Sequence, residues 1–517
     1  MHSDRSASPS DASSFDDGLI SPVTAGHEAA VADRALLEAL VATERALIEA
    51  YAAVGAFDQL PPAQRTAVLD EARELRADDV RGIALDGVAG GNPVIPLVKR
   101  LRADAGLIVR PWVHRGATSQ DILDTALMVV AKAAAGTVIG RLDETLDALD
   151  RFARGHRDQV AAARTLTQHA VPTTSGLRAA NWARAVRRAR LRLAAARDAL
   201  PAQLGGAGGT LASFVELIGE DRASRLPAAL AEATGLAAPD APWHTARWPV
   251  TELGDALVQA LDALGVLAAD VATLSRTEIG ELAEATGGGS SAMPQKQNPA
   301  RSVLIRSAAL RAPHLAATLH TAAALAVDER PDGAWHVEWP TLRELLRLAL
   351  GAAAHAADLA EGLRADSAAA ARNLDATRGL IVSERLSIVL GPILGADKVA
   401  EIVRSAGLGG DLGLLVHNAL AAANTAVPAG IDDLLDPAAY TGLAGRLVDG
   451  DLGDAPHVEI VDPTAPAADE RPGPYDPFDD GSRLPEPAPR RAGFDPFGDP
   501  FQADPPRTPA SRREDDR

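Results

Sequence analysis

The chain has 517 residues, a formal net charge of −19 and no cysteine. These values exclude disulfides and thiolate metal sites and argue against a general nucleic-acid binder, although a local basic cluster can still bind an anionic substrate. Ala, Leu and Arg abound while aromatic residues make up only 3% of the chain, which favours helix over sheet. We therefore expect an all-α protein.

The N-terminal part of the chain is predicted to be helical after a polar start. Residues 1–17 are rich in Ser and Asp and have no signal-peptide core, so we expect a disordered segment of a cytoplasmic protein. Arg, Asp or Glu interrupts each apolar run, so we expect no run long enough to span a membrane. Residues 18–112 are assigned to an N-terminal helical domain. Helical periodicity in this domain covers the ranges 28–53, 63–85 and 94–107.

The central region, residues 113–365, has the strongest helical periodicity. The longest predicted helix begins at Pro249 and ends at about Ala285, and at 1.5 Å per residue it would be roughly 50 Å long. That length is typical of a helical bundle shared between subunits. Other predicted helices in this region cover the ranges 122–135, 137–157, 177–200 and 301–325.

The last part of the chain changes in character. Residues 366–452 form a predicted C-terminal helical domain. From residue 453 to the end, Pro, Asp and Gly dominate and the apolar periodicity stops, which predicts a disordered tail. This tail repeats Asp-Pro-Phe at Asp476, Asp495 and Asp499. We interpret the repeats as part of a solvated tail in preference to recognition motifs.

The stretch 286–299, TGGGSSAMPQKQNP, carries the clearest chemical signal. Its glycines allow movement and positive φ, whereas Lys296 and Asn298 lie between two prolines that stiffen the second half. Lys296 can pair with a carboxylate and Asn298 can donate a hydrogen bond to it. A plain linker has no use for these residues, so we predict a lid that closes on an anion.

Three other stretches offer candidate binding residues. Thr118 and Ser119 lie at the predicted start of a helix, where Ser119 is expected to be the N-cap, although ordinary capping alone would explain both. Gln168 and His169 belong to a polar run in an apolar neighbourhood, but a lone histidine is more often structural. Arg330 lies in a loop rich in Trp and His. The glycine-rich stretch 201–210 is interpreted as a flexible connection, because it lacks the ending of a phosphate-binding loop.

Residues 289–299 resemble the signature loop of the fumarase/aspartase superfamily, Gly-Ser-Ser-x-Met-Pro-x-Lys-x-Asn-Pro, at every fixed position. The resemblance covers roughly residues 18–450 and implies a long helical bundle and a homotetramer whose active sites are built from three subunits. It also implies that Ser290 is the catalytic proton-transfer residue. Lys296 and Asn298 are then the residues that bind a substrate carboxylate, and Thr118 and Ser119 match a Thr-Ser substrate-binding motif of the superfamily.

Two departures from that superfamily narrow the chemistry. Fumarases and adenylosuccinate lyases carry a histidine where this chain has Leu166, and a glutamate where it has Val303. Expulsion of an amine or hydroxide needs a general acid, whereas a carboxylate leaving group has a low pKa and needs none. An enzyme that opens or closes a lactone can therefore lose the histidine and keep the serine loop.

Several stretches are similar to the 3-carboxy-cis,cis-muconate cycloisomerase family. The implied reaction interconverts 3-carboxy-cis,cis-muconate and 4-carboxymuconolactone in protocatechuate (β-ketoadipate) degradation, with no metal or organic cofactor. Lys296, Arg330, His169, Gln168 and Asn298 would bind the three carboxylates together with the Thr-Ser pair. The alternatives are an adenylosuccinate lyase-like enzyme and a non-catalytic scaffold. The similar stretches are 91–98, 164–170, 333–339, 374–381 and 440–445.

Overall fold

The computed structural model describes residues 16–285, 288–289, 293, 296–424 and 430–451. The predicted all-α class is confirmed. The segments for which we predict disorder, 1–17 and 453–517, lie almost entirely outside the described residues. The helices of the described part, in order, are α1 (Asp33–Ala53), α2 (Pro62–Arg73), α3 (Val80–Gly87), α4 (Val94–Asp104), α5 (Ser119–Gly155), α6 (Ser175–Asp198), α7 (Ala212–Ile218), α8 (Glu220–Ala223), α9 (Leu226–Thr234), α10 (Trp248–Leu274), α11 (Ala300–Ala324), α12 (Gly333–Glu361), α13 (Ser367–Asp375), α14 (Ser383–Leu394), α15 (Ala396–Gly407), α16 (Leu412–Ala422), α17 (Ile431–Leu435) and α18 (Ala444–Asp449).

Short strands in the described residues form two antiparallel pairs. The strands β1 (Val160–Thr165) and β2 (Gln168–Thr174) make a hairpin between α5 and α6. The strands β3 (Leu282–Ala283) and β4 (Arg364–Ala365) join the chain after α10 to the chain after α12. Both pairs lie at the ends of long helices, where the chain changes direction.

The helices α5, α6, α10, α11 and α12 pack together as one bundle. The apolar residues of α10 recur at intervals of three and four, which places them on one face of the helix toward its neighbours. A second hydrophobic cluster, formed mainly by α14, α15 and α16, packs against Ala162 of the hairpin. The buried leucines of α10 include Leu253, Leu257, Leu261, Leu264 and Leu267.

Ion pairs show how the long helices run. Arg247, directly before α10, bonds Asp124 near the start of α5 and Glu338 near the start of α12. These three helices therefore begin at the same end of the bundle. Arg190 of α6 bonds Asp143 of α5, while α6 itself starts at the hairpin that follows α5, so α6 runs antiparallel to α5.

The helix α5 is continuous where we predicted two helices, 122–135 and 137–157. The predicted break is at Gly136, but glycine in a helix interior costs only about 1 kcal/mol relative to alanine. Burial of the residues on either side, such as Ala135 and Val138, outweighs that cost. With 37 residues at 1.5 Å each, α5 is a rod about 55 Å long.

The helix α10 is shorter than predicted, because it ends at Leu274 and not near Ala285. Its apolar repeat stops at Leu274. The hydroxyl of Ser275 then bonds the carbonyl oxygen of Val271 at 2.6 Å, and Gly280 takes a left-handed conformation with φ of 63°. The chain thus leaves the helix before the predicted lid, and a strand leads into it.

The expectation that no apolar run is long enough to span a membrane was wrong for α5 and α10. Both pass a test of length and composition, but 67% and 50% of their apolar windows are buried inside the protein. The charges in α5 are accommodated there, since Asp124 is buried against Arg247 and Lys132 donates to the carbonyl oxygen of Gly235 at 2.6 Å. Both helices therefore serve as core helices of the bundle.

Candidate functional site

Thr118 is the N-cap of α5, one residue before the Ser119 that we predicted for that place. The buried carboxylate of Asp121 accepts a hydrogen bond from the Thr118 backbone N–H at 3.0 Å. It also accepts from the backbone N–H groups of Gly205 and Gly206, at 2.9 and 3.0 Å. A carboxylate in the first turn stabilises a helix start, and here it also holds the glycine-rich segment against that start.

Arg330 lies across the same helix start. Its Nη2 donates to the Thr118 hydroxyl and, at 3.0 Å, to the carbonyl oxygen of Ala207. Its Nε is buried and has no hydrogen-bond partner among the residues that the structure describes. A buried unsatisfied N–H costs free energy, and a bound anion would satisfy it. The structure therefore brings Thr118 and Arg330 together around a donor that suits a carboxylate.

His114 belongs to the same place, although we did not select it from the sequence. It lines a cavity of about 380 Å³ together with Ser119. The signal that could have found it is its position four residues before Thr118, in the same polar stretch. We call His114, Thr118, Ser119 and Arg330 the Thr118 cluster.

A buried ion network underlies the Thr118 cluster. Arg247 donates to Asp124 at 2.7 Å and to Glu338 at 2.6 Å, and Trp335 donates to Asp124 at 2.8 Å. Burial opposes the charge of Arg247, but the two carboxylates outweigh that effect and raise its pKa above the ordinary value. The network fixes the starts of three helices at this end of the bundle.

At the other end of α5, the hairpin carries Gln168 and His169 on β2. Gln168 is exposed, and its side-chain amide donates to the Thr167 hydroxyl at 3.3 Å. His169 is half-buried opposite Arg164. Burial, and then the charge of Arg164, lower the pKa of His169 below its ordinary value. The ring is therefore a neutral hydrogen-bonding group near pH 7.

Glu281 holds the hairpin to the chain that follows α10. Its buried carboxylate accepts from Arg164 at 2.6 Å and from Asn373 at 2.8 Å, and it pairs with Arg178. Burial raises the pKa of the Glu281 carboxyl, but these hydrogen bonds and the arginine charges outweigh burial and leave the pKa below its ordinary value. Burial lowers the pKa of Arg178 despite the charge of Glu281.

The predicted lid is closed at its base. Gly288 and Asn298 exchange two backbone hydrogen bonds of 2.8 and 3.0 Å, which hold these two residues of the predicted lid together. Glu284, just before the loop, accepts from the Ser302 backbone N–H and hydroxyl at the start of α11. Lys296 is exposed. Ser290, the predicted proton-transfer residue, lies outside the described residues.

One chain does not bring all the predicted residues together. The residues Gln168, His169, Lys296 and Asn298, which we call the Lys296 cluster, belong to the hairpin and the loop that follows Glu281. The hairpin comes directly after α5 and Thr118 directly before it, so about 55 Å of helix separates them. Within one chain, Lys296 and His169 therefore lie at the opposite end of α5 from Thr118 and Arg330. The expected sharing of active sites between subunits stays a prediction.

Comparisons with known proteins agree on the family. A family described as lyase matches residues 31–313. A nitrosuccinate lyase from Streptomyces davaonensis is 46% identical over 462 residues, which cover 86% of this chain and 96% of that protein. The chain belongs to the lyase family, within the fumarase/aspartase superfamily.

Cycloisomerases of this lyase family are also similar to the chain. A 3-carboxy-cis,cis-muconate cycloisomerase from Bradyrhizobium diazoefficiens is 36% identical over 445 residues, covering 83% of this chain and 96% of the relative. The crystal structure of a 3-carboxy-cis,cis-muconate lactonizing enzyme from Pseudomonas putida matches with a TM-score of 0.72 and 34% identity. The match covers 81% of this chain and 94% of that one. The resemblance that we inferred from the sequence is confirmed.

We expect Glu281→Gln to lower the free energy of unfolding at pH 7 by about 3 kcal/mol, because the partly buried Arg164 and Arg178 would lose their counter-charge. Since the folded state lowers the Glu281 pKa from 4.5, its stabilisation is complete above that pH and is lost as pH falls through the folded-state pKa. Urea unfolding from pH 7 to pH 3 measures this difference, which should shrink in acid.

The control for Glu281→Gln is Glu361→Gln, which removes an exposed ion pair with Arg151. We expect it to change the unfolding free energy by less than about 1 kcal/mol, because exposed pairs contribute little. Equal effects of the two substitutions would contradict the anchoring role of Glu281.

Proposed function

We propose that the protein eliminates a weakly basic group from a substrate with several carboxylates, or adds such a group in reverse. In this reaction a proton is exchanged at a carbon next to a carboxylate, and the other group leaves or joins at the neighbouring carbon. The family assignment supports this class of reaction. We further propose that the site combines the Thr118 cluster of one copy with the Lys296 cluster of another, in a homotetramer.

The observation that carries the weak-base proposal is the tip of the hairpin. Leu166 and Thr167 form the turn with φ values of 47° and 71°, and Leu166 is 96% exposed. Such a turn is usually made by Asn or Gly, so a leucine there is strained. Leu166 stands where related lyases carry a histidine, and it can protonate nothing. We therefore infer that the departing group is stable as an anion.

The same turn supports a site shared between copies. An exposed leucine on a strained turn makes few contacts in its own chain, and strain of this kind persists where function uses it. Arg164 of the hairpin donates to Glu281, and this contact holds the hairpin in place. The tip with Leu166 therefore remains exposed. A second copy that placed its Thr118 cluster against this tip would complete the set of carboxylate-binding groups.

Within this composite site the proposed roles follow from charge. Lys296, Asn298 and Arg330 bind carboxylates and stabilise the negative charge that builds up when the neighbouring carbon is deprotonated. Ser290 exchanges that proton, as a base in elimination and as an acid in addition. Neutral His169 and the hydroxyls of Thr118 and Ser119 donate or accept hydrogen bonds. The proposed reaction needs no metal or organic cofactor, and we place it in the cytoplasm.

Two candidate substrates react through a weakly basic group that leaves or adds. One is 3-carboxy-cis,cis-muconate, whose internal carboxylate adds to a double bond to close 4-carboxymuconolactone, and the similar stretches along the chain favour it. The other is nitrosuccinate, from which nitrite would leave with the electron pair of the carbon–nitrogen bond. The 46% identity to a nitrosuccinate lyase favours the second substrate. Both reactions use the same proton transfer and the same carboxylate-binding groups.

Parallel assays of the purified protein distinguish these activities. Loss of the conjugated diene absorbance reports cyclisation of 3-carboxy-cis,cis-muconate, and a colorimetric nitrite assay reports elimination from nitrosuccinate. We expect turnover in one of the two and no AMP from adenylosuccinate, whose amine leaving group needs an acid. Turnover of adenylosuccinate would contradict the weak-base proposal, and inactivity on all three would favour a non-catalytic scaffold.

Ser290→Ala should lower kcat by at least about a hundredfold, the usual contribution of a proton-transferring group. The folded structure should remain, because the substitution removes one hydroxyl from a loop whose base is held by Gly288 and Asn298. Steady-state kinetics and circular dichroism check the two expectations. The matched variant Ser291→Ala should keep more activity, and near-normal turnover in Ser290→Ala would remove Ser290 from the mechanism.

A further inference from the structure

Glu44 is a fully buried carboxylate in the middle of α1, a helix whose buried residues are mostly apolar. Both of its carboxylate oxygens contact His114. Glu44 Oε2 accepts from the His114 backbone N–H at 2.9 Å, and Oε1 is 2.7 Å from His114 Nδ1. A buried charge costs free energy unless it is fully hydrogen-bonded. We therefore infer that the role of Glu44 is to hold His114.

The backbone around His114 is held on three consecutive residues. Arg102 of α4 donates twice to the carbonyl oxygen of Val113, at 2.9 and 3.3 Å. Tyr51 of α1 donates to the carbonyl oxygen of Arg115 at 2.8 Å. Between them His114 has a φ of 55°, a left-handed conformation that is uncommon outside glycine. Strained backbone held this firmly is typical of functional positions.

This arrangement decides which nitrogen of the imidazole is available. A carboxylate can only accept, so Nδ1 carries a proton that it donates to Glu44. Any second proton on the ring then sits on Nε2. Nε2 has no hydrogen-bond partner among the described residues, and the ring lines a cavity of about 380 Å³.

The composition of that cavity indicates its ligand. Its cationic side chains are Lys99 and Arg102, the imidazole of His114 also lines it, and no acidic residue does. Ser119 adds a hydroxyl, and Lys99 forms no ion pair among the described residues. A cavity with cations, a hydroxyl and an oriented imidazole suits a carboxylate. Ile95 and Val98 form its apolar wall.

We propose that Glu44 is a positioning residue that turns His114 Nε2 into this cavity, where His114 and Lys99 bind a carboxylate of the substrate away from the reacting carbon. The inference rests on the proposed function, because it takes a substrate with several carboxylates. Glu44 itself touches no substrate. It acts by fixing the tautomer and the direction of the ring, as carboxylates do for functional histidines elsewhere.

A double-mutant cycle on the full-length protein tests this inference. Glu44→Gln should lower kcat/KM about tenfold, as expected for loss of a hydrogen bond to a charged group. Most of the loss should lie in KM, because the contact binds a group remote from the chemistry. His114→Ala should lose at least as much, and adding Glu44→Gln to it should change kcat/KM no further, because Glu44 acts only through His114.

The control is Glu71→Gln, since Glu71 also accepts from a backbone N–H, that of Val109, at 3.0 Å but holds no histidine. It should leave KM unchanged. The proposal is overturned if Glu44→Gln lowers kcat/KM equally with and without His114, or if it lowers only the thermal stability. Either result would make Glu44 a structural residue.

A binding measurement separates this inference from the proposed function. Calorimetric titration with tricarballylate, a saturated tricarboxylate that cannot react, reports carboxylate binding without turnover. Affinity that falls about tenfold in Glu44→Gln, and no further in the double variant, supports the cavity even if both candidate substrates prove inert. Equal affinity of wild type, Glu44→Gln and His114→Ala overturns it, even if one of those substrates is turned over.

Discussion

The length of α5 is the constraint on which the proposed site depends. A helix satisfies its own backbone hydrogen bonds and is stiff over its whole length, so a rod of about 55 Å keeps its two ends apart. Thr118 caps one end, and the hairpin with His169 follows the other. Side chains at both ends can serve one substrate only if different copies of the chain supply them. In the proposed shared site, each chain therefore supplies its two clusters to two different substrates.

Buried ion networks anchor both ends. Arg247 lies between Asp124 and Glu338 at one end, and Glu281 lies between arginines at the other. Networks of this kind contribute little net stability, because desolvation offsets their attraction. Their donors and acceptors are paired at fixed positions on different elements. We infer that these ion networks fix the positions of the helix starts and of the hairpin. Apolar packing between long helices is less directional and fixes these positions less well.

Much of the fold was predictable from local patterns. The apolar repeat of α10 and the signature loop identified the bundle and the family. The end of α10 was predicted too late, because Gly287 was used as the stop although the apolar repeat already ends at Leu274. The continuity of α5 was missed, because the packing that overrides Gly136 comes from other helices and leaves no local trace.

The contacts between the site residues were harder to predict from the sequence than the motifs that contain those residues. Thr118 and Arg330 were selected separately, but their contact depends on a glycine-rich segment that neither motif contains. We did not select His114 from the sequence, because its partner Glu44 lies 70 residues earlier and is one of several charged residues in α1. The motifs also carry no distances, so the sequence could not show that about 55 Å of helix separates Thr118 from His169 within one chain.

Complementation between inactive variants tests the shared site most directly. Thr118→Val and Lys296→Met change residues at opposite ends of the helical bundle. Each variant should be inactive alone. When the two variants are unfolded, mixed and refolded together, we predict that measurable activity returns, because some sites then receive both intact clusters. A mixture of Thr118→Val and Arg330→Met, whose residues touch within one chain, should stay inactive. If the first mixture also stays inactive although mixed oligomers form, the account of a site shared between copies is wrong.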